Sequence, residues 1–446
     1  MAVIKTMIIL FTNRLLSSIS FFYILLLCSS HVFCCAKDIL NHGEWMFDNG
    51  STLVSPGGMF ELGFFTPMET SSSERFVGIW YHGWGQQKVV WVANRNEPIP
   101  DGSTGVFGIA DDGNLKVLDN SNKDYWSTTV NKSLSANRIV KLMDSGNLVL
   151  SGDNDQLATS LWESFKNPTD TFILGMKMDG NIKLVSWTDS GHPRSGNFTF
   201  SQDELQGEDS YAITKIPDGH WQSRLNADEM PSEVACLLSS NFSTISCSSY
   251  LLNLSRLVMS YSGQLNHLTW DVEKKYWALK WWEPKDKCKI YNVCGKFGSC
   301  NINNKKLCKC LPGFMPSNLE KWNSEDFFDG CTRNQTCDKS DTFLSLKMMK
   351  ASNTNAQFGV KNEAECKSLC LGDCRCQAYS YEAANSSKRS GDTTTSTDLC
   401  LTWSDDLINL QEEYENGRNL SVRVAKSDIG TVLHINIGIY KFIWKI

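Results

Sequence analysis

Cysteines are the residues of this 446-residue chain best able to do chemistry, and the 17 of them are unevenly placed. Cys28, Cys34 and Cys35 stand near the start, none occurs between Ala36 and Ala235, and fourteen follow from Cys236 to Cys400. Thiols so grouped either ligate a metal as thiolates or oxidise in pairs, and the compartment decides which. The densest group is Cys288, Cys294, Cys300, Cys308, Cys310 and Cys331. Six cysteines in about forty residues, too few residues for a core of their own, suit a small disulfide-stapled module. Cys308 and Cys310 are too close to pair with each other without strain. A zinc cluster is the alternative chemistry, although no paired Cys-x-x-Cys knuckle accompanies it.

The first residues argue for oxidation. Lys5 and Arg14 lead into the apolar run Leu15–Leu27, and small residues follow before Lys37. This reads as a secretory signal over residues 1–35, cleaved between Cys34 and Ala36. The run falls short of the roughly twenty apolar residues a spanning helix needs. Cleavage removes three cysteines and leaves an even fourteen, so that each can be paired. Cys236 and Cys247, with no other cysteine near them in sequence, are expected to pair, in a loop worth on the order of 3 kcal/mol in the chain-entropy picture. Eight Asn-x-Ser/Thr triplets, at Asn49, Asn131, Asn197, Asn241, Asn253, Asn334, Asn385 and Asn419, indicate a glycoprotein.

Other chemistries find little support. A net charge of -6 with mixed signs offers no footprint for nucleic acid. His42, His82, His192, His220, His267 and His434 lie in unrelated contexts, and neither a Gly-x-Ser-x-Gly elbow nor a paired-carboxylate frame occurs. The chain is therefore expected not to be an enzyme and to need neither cofactor nor metal, with a secreted hydrolase as a remote alternative.

The elements that would carry a binding site lie between Ala36 and Leu157. Ser55-Pro-Gly-Gly-Met-Phe-Glu-Leu-Gly-Phe-Phe65, Ala110-Asp-Asp-Gly-Asn-Leu-Lys-Val-Leu118 and Met143-Asp-Ser-Gly-Asn-Leu-Val-Leu150 each read as a Gly turn entering a short alternating strand. Phe76–Tyr81 and Val89–Ala93 supply further strands rich in aromatic and β-branched residues. Repeats of this kind cannot bury an apolar face alone and must pack about a shared axis, in an all-β domain without helix.

Two longer motifs, Trp91-Val-Ala-Asn-Arg-Asn-Glu-Pro-Ile99 and Leu161-Trp-Glu-Ser-Phe-Lys-Asn-Pro-Thr-Asp-Thr-Phe172, make the pattern specific. With the cysteine module, they resemble the S-locus glycoproteins and the extracellular part of plant S-domain (G-type lectin) receptor-like kinases. The resemblance implies a mostly β, multidomain chain. Its parts would be a bulb-type lectin β-prism over 36–157, a diverged second prism-like S-locus region over 158–284, an EGF-like module over 285–331, an α+β PAN/apple domain over 337–426 and a short apolar tail over 427–446. An EGF-like module implies the pairs Cys288–Cys300, Cys294–Cys308 and Cys310–Cys331. Glu283-Pro-Lys-Asp-Lys287 lacks the acidic and amide ligands of its calcium-binding variants.

The sugar-binding repeat of bulb lectins is Gln-x-Asp-x-Asn-x-Val-x-Tyr. Its five places would hold Ala110, Asp112, Asn114, Lys116 and Leu118 in one repeat and Met143, Ser145, Asn147, Val149 and Ser151 in the next. Asp112, Asn114, Asn147 and Val149 are thus the candidate carbohydrate-binding residues. A shallow polar site that has lost most of its donors and acceptors loses discrimination with them. The surviving Asp and Asn are accordingly expected to form turns, not a mannose site.

Farther on, Ser195–Phe200 and Ser262–Trp270 repeat the Gly-x-apolar rhythm less faithfully, and the aromatic run Tyr276–Trp282 reads as core or inter-domain packing in preference to a ligand groove. Asn362–Cys370 has helical spacing with Cys366 and Cys370 on one face. With Cys374, Cys376 and Leu399-Cys-Leu-Thr-Trp403 it resembles a PAN/apple domain, which implies Cys366–Cys400 and Cys370–Cys376. Cys337–Cys374 is the pair that then remains, although six cysteines allow fifteen pairings. Ala383–Asp398, rich in Ser and Thr, reads as a glycosylated loop.

No Gly-rich loop with Val-Ala-x-Lys, His-Arg-Asp or Asp-Phe-Gly is present, so a kinase is not expected. The tail is interrupted by His434, Asn436 and Lys441, which favours a secreted product in the apoplast or cell wall over a truncated, membrane-associated receptor. The resemblance implies cell-surface recognition, including pollen recognition in some members, with a glycan or protein ligand as partner. A soluble decoy or co-receptor pairing with S-domain receptor kinases is the alternative.

Overall fold

A computed structural model of the protein describes residues 37–428 apart from 68–72, 85–87, 131–137, 153–159, 204–209, 217–221, 240–253, 334–336, 339, 352–353, 385–397 and 405. The expected leader, Cys247, nearly all of the Ser/Thr-rich loop and most of the apolar tail lie outside the described residues. The chain divides into two compact units, one from Met1–Ala212, Arg224–Tyr261 and His267–Trp281, the other from Ile213–Ser223, Ser262–Asn266 and Trp282–Ile446.

In the first unit, three four-stranded sheets form a prism. Their strand orders are Ile39–Asn41, Arg138–Leu142, Leu148–Gly152, Ser160–Glu163; Trp45–Phe47, Gly105–Ile109, Leu115–Asp119, Asp124–Ser127; and Thr52–Val54, Phe60–Phe65, Phe76–Tyr81, Val89–Val92. The first strands of all three come from the opening segment, which visits each face in turn. Period-two patterning decides what turns inward. Leu115 and Val117 on one face, Leu148 and Leu150 on another, and Leu62 and Ile79 on the third are excluded from solvent.

The three Gly turns share one conformation but not one place. Gly58, Gly113 and Gly146 have φ of 69°, 80° and 87°, the left-handed region that glycine enters without a Cβ penalty. A Cβ on Gly113 would stand 2.3 Å from the Arg138 guanidinium, so space as well as torsion excludes a side chain. The turns after Ile109 and Leu142 enter the third strand of their faces, whereas the turn after Val54 enters the second. The uniform threefold rhythm expected from the sequence is corrected here. On the last face all four strands are consecutive in the chain, so its third strand is Phe76–Tyr81, which carries no Gly-Asn signature.

Two further four-stranded sheets form the second β region: Thr171–Ile173, Ser255–Met259, Leu265–Asp271, Tyr276–Glu283, and Lys183–Trp187, Ser195–Gln202, Ser210–Lys215, Gln222–Asn226. The helix Ser232–Leu238 breaks the strand pattern. Pro231 stands at its entry, Glu233 lies in its first turn, and Val234, Cys236, Leu237 and Leu238 are buried along it. In the aromatic run, Trp281 is buried and Trp277 packs on Tyr81 and Trp270, while Tyr276 and Leu279 are exposed.

The second unit combines a buried apolar core, with Trp403, Leu420 and Val422 excluded from solvent, with many covalent ties. Disulfides join Cys288–Cys300, Cys294–Cys308 and Cys310–Cys331 around the hairpin Gly298–Cys300 with Cys308–Cys310. The sulfurs of Cys294, Cys300 and Cys308 lie within 4.8 Å of one another, but oxidised sulfur offers a metal no thiolate. Beyond them a five-stranded sheet runs Thr342–Met349, Arg418–Val424, Cys376–Glu382, Asp398–Ser404, Ala356–Val360. The helix Glu363–Gly372 packs on it. Asn362 caps this helix by accepting from Glu365 N at 3.0 Å, while the Glu365 carboxylate accepts from Lys361 N. Cys366–Cys400 ties helix to sheet, Cys370–Cys376 closes its end, and Cys337–Cys374 ties in the entering segment.

Candidate functional site

Strand register identifies equivalent positions on the three faces. Ile79 pairs with Trp91, Val117 with Trp126 and Leu150 with Trp162, each beside a register shift. Counting back along the third strands, Phe76 occupies the place of Asn114 and Asn147, and Gly78 that of Lys116 and Val149. The third lateral site of the prism thus offers a phenyl ring and a glycine where a sugar would need an amide and a valine.

The two recognisable lateral sites have most of their polar atoms engaged within the protein, although Ser151 Oγ is buried without a partner among the described residues. Asp112 Oδ1 accepts from Asn114 N at 2.9 Å, and Lys116 Nζ bridges the Asp112 and Asp124 carboxylates at 3.1 and 3.2 Å. Burial pushes the Asp112 carboxyl up, but the Asn114 N–H and the Lys116 ammonium outweigh it and hold it below the usual carboxylate range. Asn114 Oδ1 accepts from Thr128 Oγ1 and Val130 N, and that threonine oxygen in turn accepts from Leu115 N. On the other face Asn147 Oδ1 accepts from Ser164 Oγ and Phe165 N, while Asn147 Nδ2 donates to Glu163 at 3.0 Å. Val149 and Ser151 are buried. Each Asn therefore clasps the fourth strand to the third. Asn147→Ala is expected to destabilise the protein by about 2 kcal/mol by leaving buried donors without an acceptor. Urea unfolding measures this, and a loss below about 0.5 kcal/mol, the range of ordinary surface changes, would refute the clasp.

One pole of the prism is arranged differently. Trp91, Trp126 and Trp162 meet edge to face around the axis, with ring centroids 5.7, 5.7 and 5.6 Å apart. Trp126 was not marked by any motif, yet the three tryptophans recur at intervals of 35 and 36 residues, a period that could have revealed the axis. Beside them lies a cavity of about 420 Å³, within the range of small-molecule sites, lined also by residues of the Trp91–Ile99 and Leu161–Phe172 motifs.

Most of the motif polar residues hold structure. Asn94 Oδ1 accepts from Val77 N, and its Nδ2 donates to the Arg75 and Glu97 carbonyls. Arg95 donates to the carbonyls of Pro193 at 2.7 Å, Ser186 at 2.8 Å and Val185 at 3.0 Å. Burial lowers the Arg95 pKa and raises that of Asp170, and the field of each partly offsets the shift of the other. Of the glycosylation triplets, Asn49, Asn197 and Asn419 are exposed; Asn131, Asn241, Asn253, Asn334 and Asn385 lie outside the described residues.

Three family models match: a D-mannose binding lectin over residues 88–188, an S-locus glycoprotein domain over 222–318 and a PAN-like domain over 337–410. The chain is 43% identical over 410 residues to a G-type lectin S-receptor-like serine/threonine-protein kinase of Arabidopsis thaliana, covering 87% of this chain and 47% of that protein. It spans about half the length of the curated receptor-like kinases it matches. Among solved structures, the mannose-specific agglutinin of snowdrop (Galanthus nivalis) bulbs is 20% identical, with a TM-score of 0.19, over 27% of this chain and 95% of that one. The S-locus-specific glycoprotein BS29-2 of Brassica oleracea var. alboglabra is 33% identical over 409 residues, which make up 85% of this chain and 90% of that protein. With both of those proportions high and the lectin, S-locus and PAN-like matches in that order along it, the chain belongs to the S-locus glycoprotein family.

Proposed function

We propose that this protein is a non-enzymatic recognition module of the cell surface or apoplast, a multidomain ectodomain that binds a glycan or protein ligand. The observation that carries the reading is the disposition of polar atoms on the prism: a lectin scaffold is retained while Asp112, Asn114 and Asn147 serve its own turns and clasps. Recognition on such a scaffold uses surfaces other than the lateral mannose sites. Export and glycosylation, expected from the first residues and the eight Asn-x-Ser/Thr triplets, agree with an extracellular role. Among the described residues no helix is long and apolar enough to cross a membrane.

A glycan array of the glycosylated, oxidised protein, beside Asp112→Ala with Asn114→Ala, tests the reading. The double variant, checked by its melting curve because Asn114 is a clasp, is expected to give the same profile as the parent. A mannose response present in the parent and lost in the variant would place binding in the lateral sites and overturn it. Turnover of a generic ester, peptide or glycoside panel would end the non-enzymatic reading.

A further inference from the structure

The polar cavity at the tryptophan pole has hydrogen-bonding groups that the fold does not use up. Asn96 Oδ1 accepts from Ser195 N, but its Nδ2 has no partner among the described residues. Asn167 Nδ2 donates to the Glu163 carbonyl, leaving Asn167 Oδ1 open, and Thr129 Oγ1 is likewise unengaged. Trp91 Nε1 donates to Asn167 O at 2.9 Å, whereas the indole N–H groups of the half-buried Trp126 and Trp162 have no acceptor among the described residues. All five residues line the same cavity.

These features select a ligand class. An anion would need a free cation, but Arg95, the lining guanidinium, is committed to four backbone carbonyls. A purely apolar ligand would strip water from amides and a hydroxyl without replacing its hydrogen bonds. A pyranose ring meets both halves of the lining, since its C–H face packs on an indole and its hydroxyls both donate and accept. We propose that this pole is a binding pocket for one neutral pyranose ring of a saccharide ligand, separate from the lateral lectin sites. The proposal deepens the carbohydrate side of the function proposed above and rests on it.

The test uses the full glycosylated, oxidised chain titrated with methyl α-D-mannopyranoside, methyl β-D-glucopyranoside, methyl β-D-galactopyranoside and N-acetyl-D-glucosamine. Tryptophan emission and saturation-transfer NMR are the readouts. At least one glycoside is expected to shift the emission and to receive saturation at its ring C–H protons. Asn167→Ala and Thr129→Val, both at exposed positions, should each weaken it about tenfold, the loss of roughly one hydrogen bond. Binding that survives both variants but disappears in Asp112→Ala with Asn114→Ala, or in Asn147→Ala, would refute the pole while leaving carbohydrate recognition standing. Binding unchanged in every variant, or no shift from any of the four glycosides, would also refute it. A silent glycan array alongside the latter would remove the carbohydrate reading as well.

Discussion

Arg95→Leu is expected to cost the first unit about 4 kcal/mol, because it leaves several buried carbonyls without their donor and removes a cation whose field favours the buried Asp170 carboxylate. Arg95 is only 8% exposed, and its guanidinium donates to the carbonyls of Pro193, Val185, Ser186 and Arg194, for which leucine has no donor. The change also leaves the buried Asp170 carboxylate, which burial pushes up, without the stronger of the two guanidinium fields that restrain that shift, Arg256 supplying the weaker. Arg95→Lys keeps the charge but replaces a planar fork with one ammonium, and is expected to recover about half of the loss. Adding Asp170→Asn to Arg95→Leu should recover about 1–2 kcal/mol by removing the stranded charge. The exposed pair Lys166–Glu163 supplies the contrast, since Lys166→Ala should change stability by under about 1 kcal/mol. Urea unfolding followed by tryptophan emission reads all four variants. An Arg95→Leu loss no larger than that of Lys166→Ala would show that the carbonyls and Asp170 find water instead.

This expectation bears on what a motif reports. Trp91-Val-Ala-Asn-Arg-Asn identifies the family well, but its Asn94, Arg95 and Asn96 each bond to the backbone of a neighbouring strand or loop. Their types are therefore set by the fold, whatever the chain recognises. Of the residues proposed to touch a ligand, Asn96 and Asn167 lie within the two motifs and present their open edges to the cavity, while Thr129 lies outside both.

The general architecture was legible in the sequence because it rests on local signals. Gly113 and Gly146 mark turns that only glycine can make, and period-two apolar patterning follows each of them. Asn362 with Glu365 signals a helix start in the same local way. The third face was not legible. Its equivalent strand, Phe76–Tyr81, lacks the Gly-Asn turn, and only the pairing of Ile79 with Trp91 places it. The helix Ser232–Leu238 was missed for a related reason: seven residues give too few turns for a periodic signal.

The site divides along the same line. Asp112, Asn114 and Asn147 are visible as donors and acceptors in the sequence, but whether those atoms are available depends on partners such as Thr128, Val130 and Phe165. A one-dimensional pattern records which groups a segment carries and not which of them the fold has already engaged. The tryptophan pole shows the converse, since its three rings come from strands on three different faces.

In the second unit, the largest loss is expected from Arg423→Leu, about 3–5 kcal/mol, the range for breaking a buried ion pair. Arg423 is 1% exposed, and its Nε donates to Asp341 Oδ2 at 2.9 Å. Its remaining donors reach the carbonyls of Asp373 at 2.8 Å, Leu371 at 3.2 Å, and Cys370 and Cys376 at 3.3 Å. Cys370, Leu371 and Asp373 stand at the end of the helix, at the negative pole of its dipole, and Cys376 opens the strand that follows. One side chain thus caps the helix Glu363–Gly372 and neutralises Asp341, which Arg333 also approaches at 2.8 Å. Because Arg333 remains, Arg423→Leu should harm mainly the helix end. Hydrogen exchange at the amides of residues 366–372 should rise well before global unfolding, while exchange in Thr342–Met349 changes less. Asp341→Asn should be milder than Arg423→Leu, since the carbonyls keep their donor. If Asp341→Asn were the more damaging, the charge pair would be the principal support and helix capping secondary. Equal, small losses would refute both roles and leave the disulfides Cys366–Cys400 and Cys370–Cys376 as what holds the helix in place.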